Sequence, residues 1–178
     1  MRTSYRKSRS KAGVFSSANL QDFVFGVGGY SGKLGKEVEA AAPPLHTANR
    51  WNAVAAYVNP RFRVGVEYFA ANDWNNVLTA AADKADGYTV FGTFNVTKEV
   101  SLFARGDEEK PSKTLHPSEK DNYFNMGINW EPVKIVDLAL VYKHEKVVNG
   151  ILSTGNGSIG GVNSGVYDEV GLFTQFRW

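Results

Sequence analysis

Few side chains in this sequence could carry out chemistry. Its 178 residues include three histidines and no cysteine, which excludes thiolate metal sites, cysteine nucleophiles and disulfide frameworks. A hydrolase needs a nucleophile and a base close together. No serine or aspartate stands at a sequence spacing from His46, His116 or His144 that indicates a catalytic pair. The better interpretation of the three residues is that they are histidines in solvated loops. The sequence therefore predicts that the protein is not an enzyme.

Two further clusters resemble ligand sites and fall short of them. Residues 26–33 are rich in glycine, but Leu34 stands where a phosphate-binding loop requires serine or threonine. Asp107, Glu108 and Glu109 are consecutive carboxylates that could hold a divalent cation. A hard divalent cation, however, needs about six or more oxygen ligands. A solvated acidic loop is the commoner occurrence. We expect neither a metal ion nor a cofactor.

The charge is distributed unevenly along the chain. The net charge of the chain is +2. The basic residues before the first acidic residue carry more positive charge than this total, so the rest of the chain has a net negative charge. The sequence predicts a basic polar tail at residues 1–18 and no nucleic-acid partner, because no basic fold follows this run. Residues 12–18 are too short and too polar for the apolar part of a secretory signal.

The rest of the chain, residues 19–178, alternates apolar and polar side chains with a period of two. No apolar run reaches the roughly 18 residues of a spanning helix, whereas the alternating segments match the roughly 9 to 11 residues of a tilted transmembrane strand. The predicted strands are Asp22–Lys33, Arg50–Val58, Arg61–Phe69, Gly87–Val96, Glu99–Asp107, Asn122–Trp130, Lys134–Lys143 and Tyr167–Trp178. We therefore expect an all-β protein, an antiparallel up-and-down transmembrane β-barrel with eight strands in this chain.

The connections between these segments alternate between short and long. Tight turns are predicted at residues 59–60, 97–98 and 131–133, and long polar loops at 34–49, 70–86, 108–121 and 144–166. Bacterial membrane barrels have short turns on the periplasmic side and longer loops outside. With eight strands, both termini are expected on the periplasmic side.

Each strand has one apolar and one charged face. In the third segment Val64 and Val66 alternate with Arg63 and Glu67. The charged residues expected to line the interior are Arg63, Glu67, Arg105, Asp107, Asp137, Lys143, Glu169 and Arg177. In a wide barrel they would line a lumen, and in a barrel of about eight strands they would fill it.

Aromatic residues recur near both ends of the apolar face. They form pairs six residues apart, which is about 20 Å along a strand, as expected for two aromatic belts at the membrane interfaces. The predicted interface residues are Trp51, Tyr57, Phe62, Tyr68, Tyr88, Phe94, Phe124, Trp130 and Trp178. The alternative is a soluble lipocalin-like barrel, in which the apolar face points inwards.

The last predicted strand carries a family resemblance. Residues 167–178 alternate apolar side chains and end on an aromatic, which resembles the final strand of Gram-negative outer-membrane porins. Residues 100–107 and 123–143 are similar to the last hairpins of that family. The resemblance implies passive diffusion of small polar solutes or ions across the outer membrane. It also implies that Phe176 and Trp178 form the signal for the barrel-assembly machinery.

The resemblance extends to the expected partners and leaves the size of the barrel open. It implies outer-membrane lipid and lipopolysaccharide as neighbours and a homo-oligomer as the assembly. Porins have sixteen or eighteen strands, whereas this sequence predicts eight. The chain is then either part of a larger porin or a complete small barrel. The small barrel would have a filled lumen and a structural or surface-interaction role.

Overall fold

The computed structural model describes residues 11–20, 22–36, 45–74, 76–154, 157–161 and 163–177. All regular elements in these ranges are strands, and none of the described residues forms a helix that could cross a membrane. The strands are β1 (Lys11–Leu20), β2 (Phe23–Gly32), β3 (Ala48–Val58), β4 (Phe62–Asn72), β5 (Lys84–Asn95), β6 (Val100–Lys110), β7 (Lys120–Val133), β8 (Val136–Val148), β9 (Ile151–Thr154), β10 (Gly157–Gly160) and β11 (Ser164–Phe176). The predicted all-β class is confirmed.

Nine of these strands form one antiparallel meander. The order is β1-β2-β3-β4-β5-β6-β7-β8-β11, so each strand pairs with its neighbours along the chain, and β9 and β10 form a separate hairpin inside the loop between β8 and β11. The eight predicted segments correspond to β2 through β8 and β11. The up-and-down topology is therefore as the sequence predicts.

The additional strand β1 was not predicted from the sequence. It overlaps residues 11–18 of the segment predicted as a polar tail at residues 1–18, where small and polar residues give no alternating pattern. Its pairing with β2 rests on backbone hydrogen bonds that a side-chain pattern does not reveal. Because there are nine strands, Lys11 lies at the long-loop end and Phe176 at the short-turn end. The chain termini themselves lie outside the described residues, so the expectation that both are on the periplasmic side stays a prediction.

Side chains in the tight turns fix the register of the strands that they join. Asn59 Oδ1 accepts hydrogen bonds from the amides of Arg61 and Phe62, both at 2.8 Å. Thr97 Oγ1 accepts from the amides of Glu99 at 3.1 Å and Val100 at 3.0 Å. Such local bonds compete with extended backbone and favour turns. They hold β3 against β4 and β5 against β6 with the apolar residues on one face.

The buried core lies mainly at the long-loop end of the sheet. Val77, in the loop between β4 and β5, has no exposed surface, and Val147 in β8 is 2% exposed. The strands extend further into the predicted loops than the sequence indicates. In particular β6 continues to Lys110, so the acidic run 107–109 belongs to a strand and not to a loop. Alternation along that strand places Asp107 and Glu109 on one face and Glu108 on the other.

Candidate functional site: the charged inner face

The two faces of the sheet differ in both polarity and enclosure. On β4, Val64 and Val66 are 45% and 51% exposed, whereas the alternating residue Gly65 is buried. The same contrast recurs along the meander, so the charged face is the enclosed one and is called here the inner face. The apolar side chains form the outer face. This arrangement is the reverse of a lipocalin-like barrel.

All eight residues predicted to line the interior lie on the inner face, as their alternation along the strands requires. Lys143 Nζ donates to Glu169 Oε1 at 2.9 Å, and the Tyr167 hydroxyl donates to Glu169 Oε2 at 2.6 Å. The Lys143 ammonium also lies 4.8 Å from the ring centroid of Phe173, within cation–π range. This group joins β8 to β11.

Two more ion pairs follow on the same face. Arg105 Nε donates to Asp107 Oδ2 at 2.8 Å. Arg177 Nε donates to Asp137 Oδ2 at 2.8 Å, and its guanidinium lies 3.4 Å from Glu131. These contacts offset charge along the inner face without removing it from solvent, since the Arg105 side chain is 53% exposed.

Glu67 and Arg63 complete the predicted set on β4. The Asn52 amide donates to Glu67 Oε1 at 2.6 Å, which links β3 to β4. The Arg63 residue is exposed. Whether the eight residues line a conducting lumen remains a prediction.

Three inner-face carboxylates were missed by sequence reasoning. Glu109 and Asp121 are Cα partners across β6 and β7, and Glu145 follows on β8. Asp121 Oδ1 is buried without a hydrogen-bond partner among the described residues. The sequence contained the information needed to place Glu109, because it stands two residues after Asp107 and residues two apart lie on the same face of a strand. The incorrect end of the predicted strand concealed it.

The long loops fold against one another above these carboxylates. The Trp74 indole donates to the Pro111 carbonyl at 3.3 Å, and His46 Nε2 lies 2.9 Å from the Thr79 carbonyl oxygen. They enclose a cavity of about 570 Å³ that reaches down to Glu109 and Asp121. We call it the loop-end cavity.

Two ionised side chains outside the strands hold these loops together. Burial raises the pKa of Asp83, but hydrogen bonds from the Ser112 hydroxyl and from three backbone amides, including Thr114, outweigh it and bring the pKa below 3.8. The hydrogen bond to Asp86 raises the pKa of Lys113 above its ordinary value. Both groups are therefore charged at neutral pH.

The predicted interface aromatics fall into two rows on the outer face. Tyr68 and Tyr88 are Cα partners near the long-loop end, and Phe62 and Phe94 are Cα partners near the short turns. Trp51 joins the first row with its ring 5.4 Å from that of Tyr68. The other outer-face members are Tyr57, Phe124 and Trp130. Their location at membrane interfaces remains a prediction.

The predicted assembly signal is described only in part. Phe176 ends β11 and is 63% exposed on the outer face, while Trp178 lies outside the described residues. The role of these two residues in assembly stays a prediction.

The histidines have partners that their spacing in the sequence does not reveal. His144 Nδ1 lies 2.9 Å from Asp168 Oδ1, and the Tyr142 hydroxyl donates to the same oxygen at 2.6 Å. His46 Nδ1 lies 3.9 Å from Asp73 Oδ2. These pairs form across strands and loops that are distant in sequence. Spacing in the sequence was therefore not a sufficient test for partners of these histidines.

An antiparallel meander with an apolar outer face and a charged inner face is the construction of an outer-membrane β-barrel. The structure is similar to OmpT (in-vitro folded), an outer membrane protein of Vibrio cholerae, with a TM-score of 0.64 and 14% sequence identity. The match covers 92% of this chain and 54% of the other, so this chain spans about half the length of that structure. No protein-family model and no curated protein matches the sequence.

The prediction that the protein is not an enzyme is also corrected. A likeness at 14% identity to the structure named OmpT shows the fold alone, and a fold does not decide activity. The pairing of His144 with Asp168 removes the argument from spacing on which the prediction depended. The exclusion of an enzyme is withdrawn.

Proposed function

We propose that this chain forms the wall of a porin-like outer-membrane channel, through which small polar solutes or ions pass by passive diffusion. One observation carries the proposal: three of the charged inner-face side chains keep contact with solvent. The side chains of Arg105, Lys143 and Glu169 are 53%, 28% and 27% exposed. In a narrow barrel filled by its own side chains, such groups would be buried in closed networks.

The direction of the edge strands supports a wide barrel. β1 and β11 are the two ends of a nine-stranded antiparallel order, so they run parallel to each other. A closed barrel made only of antiparallel pairs needs an even number of strands. It therefore combines these nine strands with an odd number of additional strands. Open edges are not tolerated in lipid. The extra strands would widen the lumen beyond the eight-stranded size, which counts against the complete small barrel.

The porin resemblance of the last strands supports location in the outer membrane of a Gram-negative bacterium. The short turns would then face the periplasm and the loop-end cavity would open outwards. Glu109 and Asp121 line this cavity, and together with Glu145 they lie at the long-loop end of the inner face. Carboxylates at a channel mouth favour cations over anions, so we propose a preference for cations.

The proposal is tested by solute uptake into phosphatidylcholine vesicles that contain the refolded full chain. Uptake of monosaccharides should exceed that of empty vesicles and should fall with sugar size. Asn125→Trp, on the inner face of β7, should slow uptake by narrowing the lumen. Met126→Trp, its outer-face neighbour, is the matched control and should leave uptake unchanged. Uptake equal to that of empty vesicles would contradict the channel and favour the non-conducting barrel.

A further inference from the structure

The outer face carries a group of lysines at its long-loop end. Lys110, Lys120 and Lys146 share the parity of the apolar outer-face residues on β6, β7 and β8. Lys146 is the Cα partner of Asn122, the outer-face residue before Phe124 on β7. Glu109 is the Cα partner of Asp121. In the same register, Lys110 therefore lies next to Lys120. The three lysines therefore form one cluster, called here the lysine cluster, just beyond the aromatic row.

The lysine cluster lacks carboxylate partners within the described part of the chain. The ion pairs there involve other cations. The nearby outer-face acids are engaged elsewhere. Asp86, the Cα partner of Lys110, pairs with Lys113. Glu108 Oε2 accepts the Tyr88 hydroxyl at 2.8 Å, and Asp168 is engaged by Tyr142 and His144. Neighbouring like charges without counter-charges in the protein attract an anion from outside.

An apolar groove lies on the same strands, towards the middle of the sheet. It has a volume of about 680 Å³, and its lining is almost entirely apolar, with Met126, Ile128, Leu140 and Val170 among the side chains. Tyr142 also lines this groove. The hydroxyl of Tyr142 donates to Asp168, which also binds His144. Beyond the groove, the outer face of β8 continues from Tyr142 through His144 to Lys146.

The dimensions match a single lipid leaflet. Ile128 and Lys120 stand near the two ends of this surface on one strand. The separation is about 26 Å along the strand, or about 20 Å along the membrane normal at a tilt of about 40°. Half of a bilayer of roughly 40 to 45 Å has this thickness. An acyl chain in the groove would place its headgroup at the lysine cluster.

We propose that this surface is a binding site for a phosphate-bearing lipid of the leaflet on the long-loop side. The lysine cluster binds the headgroup phosphate and the apolar groove takes an acyl chain. Charge complementarity selects this occupant over a second copy of the chain, which would bring an identical lysine cluster. The site rests on the outer face and does not depend on conduction.

The test is native mass spectrometry of the full chain in detergent, with added phosphatidylglycerol or phosphatidylcholine carrying the same acyl chains. The wild-type protein should retain phosphatidylglycerol preferentially. Lys120→Gln/Lys146→Gln should reduce that retention by about tenfold, since each lysine near anionic lipid contributes a several-fold factor. Lys98→Gln/Lys134→Gln, at the short-turn end, removes the same charge and should have no effect. Circular dichroism checks that both variants keep their strand content.

The groove is tested separately with Ala104→Phe, which fills it from the outer face of β6. This variant should reduce retention of phosphatidylglycerol while the protein stays monodisperse. Equal retention of the two lipids by the wild-type protein would overturn the proposal, as would equal losses in the two lysine variants. A change of oligomeric state in Ala104→Phe with unchanged lipid retention would also overturn it and assign the groove to a second copy. Sugar uptake in the same variants reports on the channel independently.

Discussion

Lys143 on β8 and Glu169 on β11 are Cα partners on the inner face, and the lysine ammonium donates to the carboxylate at 2.9 Å. Because the Tyr167 hydroxyl donates to the other carboxylate oxygen at 2.6 Å, Glu169 connects two side chains. We expect Glu169→Gln to lower the urea midpoint of unfolding in micelles, since an ion pair is replaced by a weaker bond from the ammonium to a neutral amide.

A double-mutant cycle isolates this ion pair. Lys143→Gln alone should also lower the midpoint, and the double variant should lose less than the sum of the single losses. Additive losses would show that the two residues act separately. Asp137, engaged by Arg177 on the same face, offers an independent pair for comparison.

Gly127 on β7 stands where the inner face has no room for a side chain. A Cβ there would collide with the Leu140 carbonyl oxygen and lie 2.6 Å from Phe103 Cζ. Gly127→Ala should therefore reduce the free energy of unfolding by about 1 to 3 kcal/mol, the usual cost of overpacking. Gly106 is the control, because a Cβ there would meet no heavy atom within 4 Å. Gly106→Ala should leave stability unchanged or raise it by up to about 1 kcal/mol.

Trp51 and Trp130 lie in the two aromatic rows on the outer face, with exposures of 50% and 48%. The chain has four tryptophans, so single-tryptophan variants allow each to be measured alone. In vesicles containing lipids brominated at defined depths, both fluorophores should be quenched most strongly by shallow bromines, because indole rings favour the interfaces. Strongest quenching by bromines at the bilayer centre would refute the two belts. Absence of quenching would refute the lipid-facing outer surface.

Asp83 orders the contact between the two packed loops. Its Oδ1 accepts hydrogen bonds from the amides of Thr114 at 3.0 Å and Leu115 at 3.3 Å. Burial raises the pKa of Asp83, but hydrogen bonds from Ser112 and the backbone outweigh it and lower the pKa in the folded chain, so this contribution to stability is complete above the unfolded value of about 3.9. It is lost as the pH falls through the folded value. Carbon-13 titration of the carboxyl should give a midpoint below 3.8.

Removal of the carboxylate tests the same contact at neutral pH. Asp83→Ala should speed tryptic cleavage after Lys113, because the loop loses its anchoring acceptor. Glu99→Ala, in a tight turn at the opposite end of the sheet, should not. A titration midpoint at or above the ordinary value would contradict the structural account of this loop.

The alternation of side chains was sufficient to predict the strands from β2 to β8 and β11, because one side of the sheet is apolar throughout. It was insufficient for β1, whose mostly small and polar residues do not alternate and which pairs with the glycine-rich β2. The inner-face position of Arg105 and Lys143 followed from the alternation of side chains along their strands. The partner of Lys143 did not, because Glu169 reaches it only through the strand register, as Asp168 reaches His144. The packing of Asp83 against residues 112–115 was equally beyond the sequence, since it depends on how two separate loops fold together.

The central claim is that the charged inner face borders a water-filled path through a membrane. Planar-bilayer recording of the refolded full chain tests it most directly. The account predicts stepwise conductance increments, with a reversal potential under a salt gradient that shows a preference for cations. A silent bilayer, with incorporation of the protein verified by protease protection, would contradict the account.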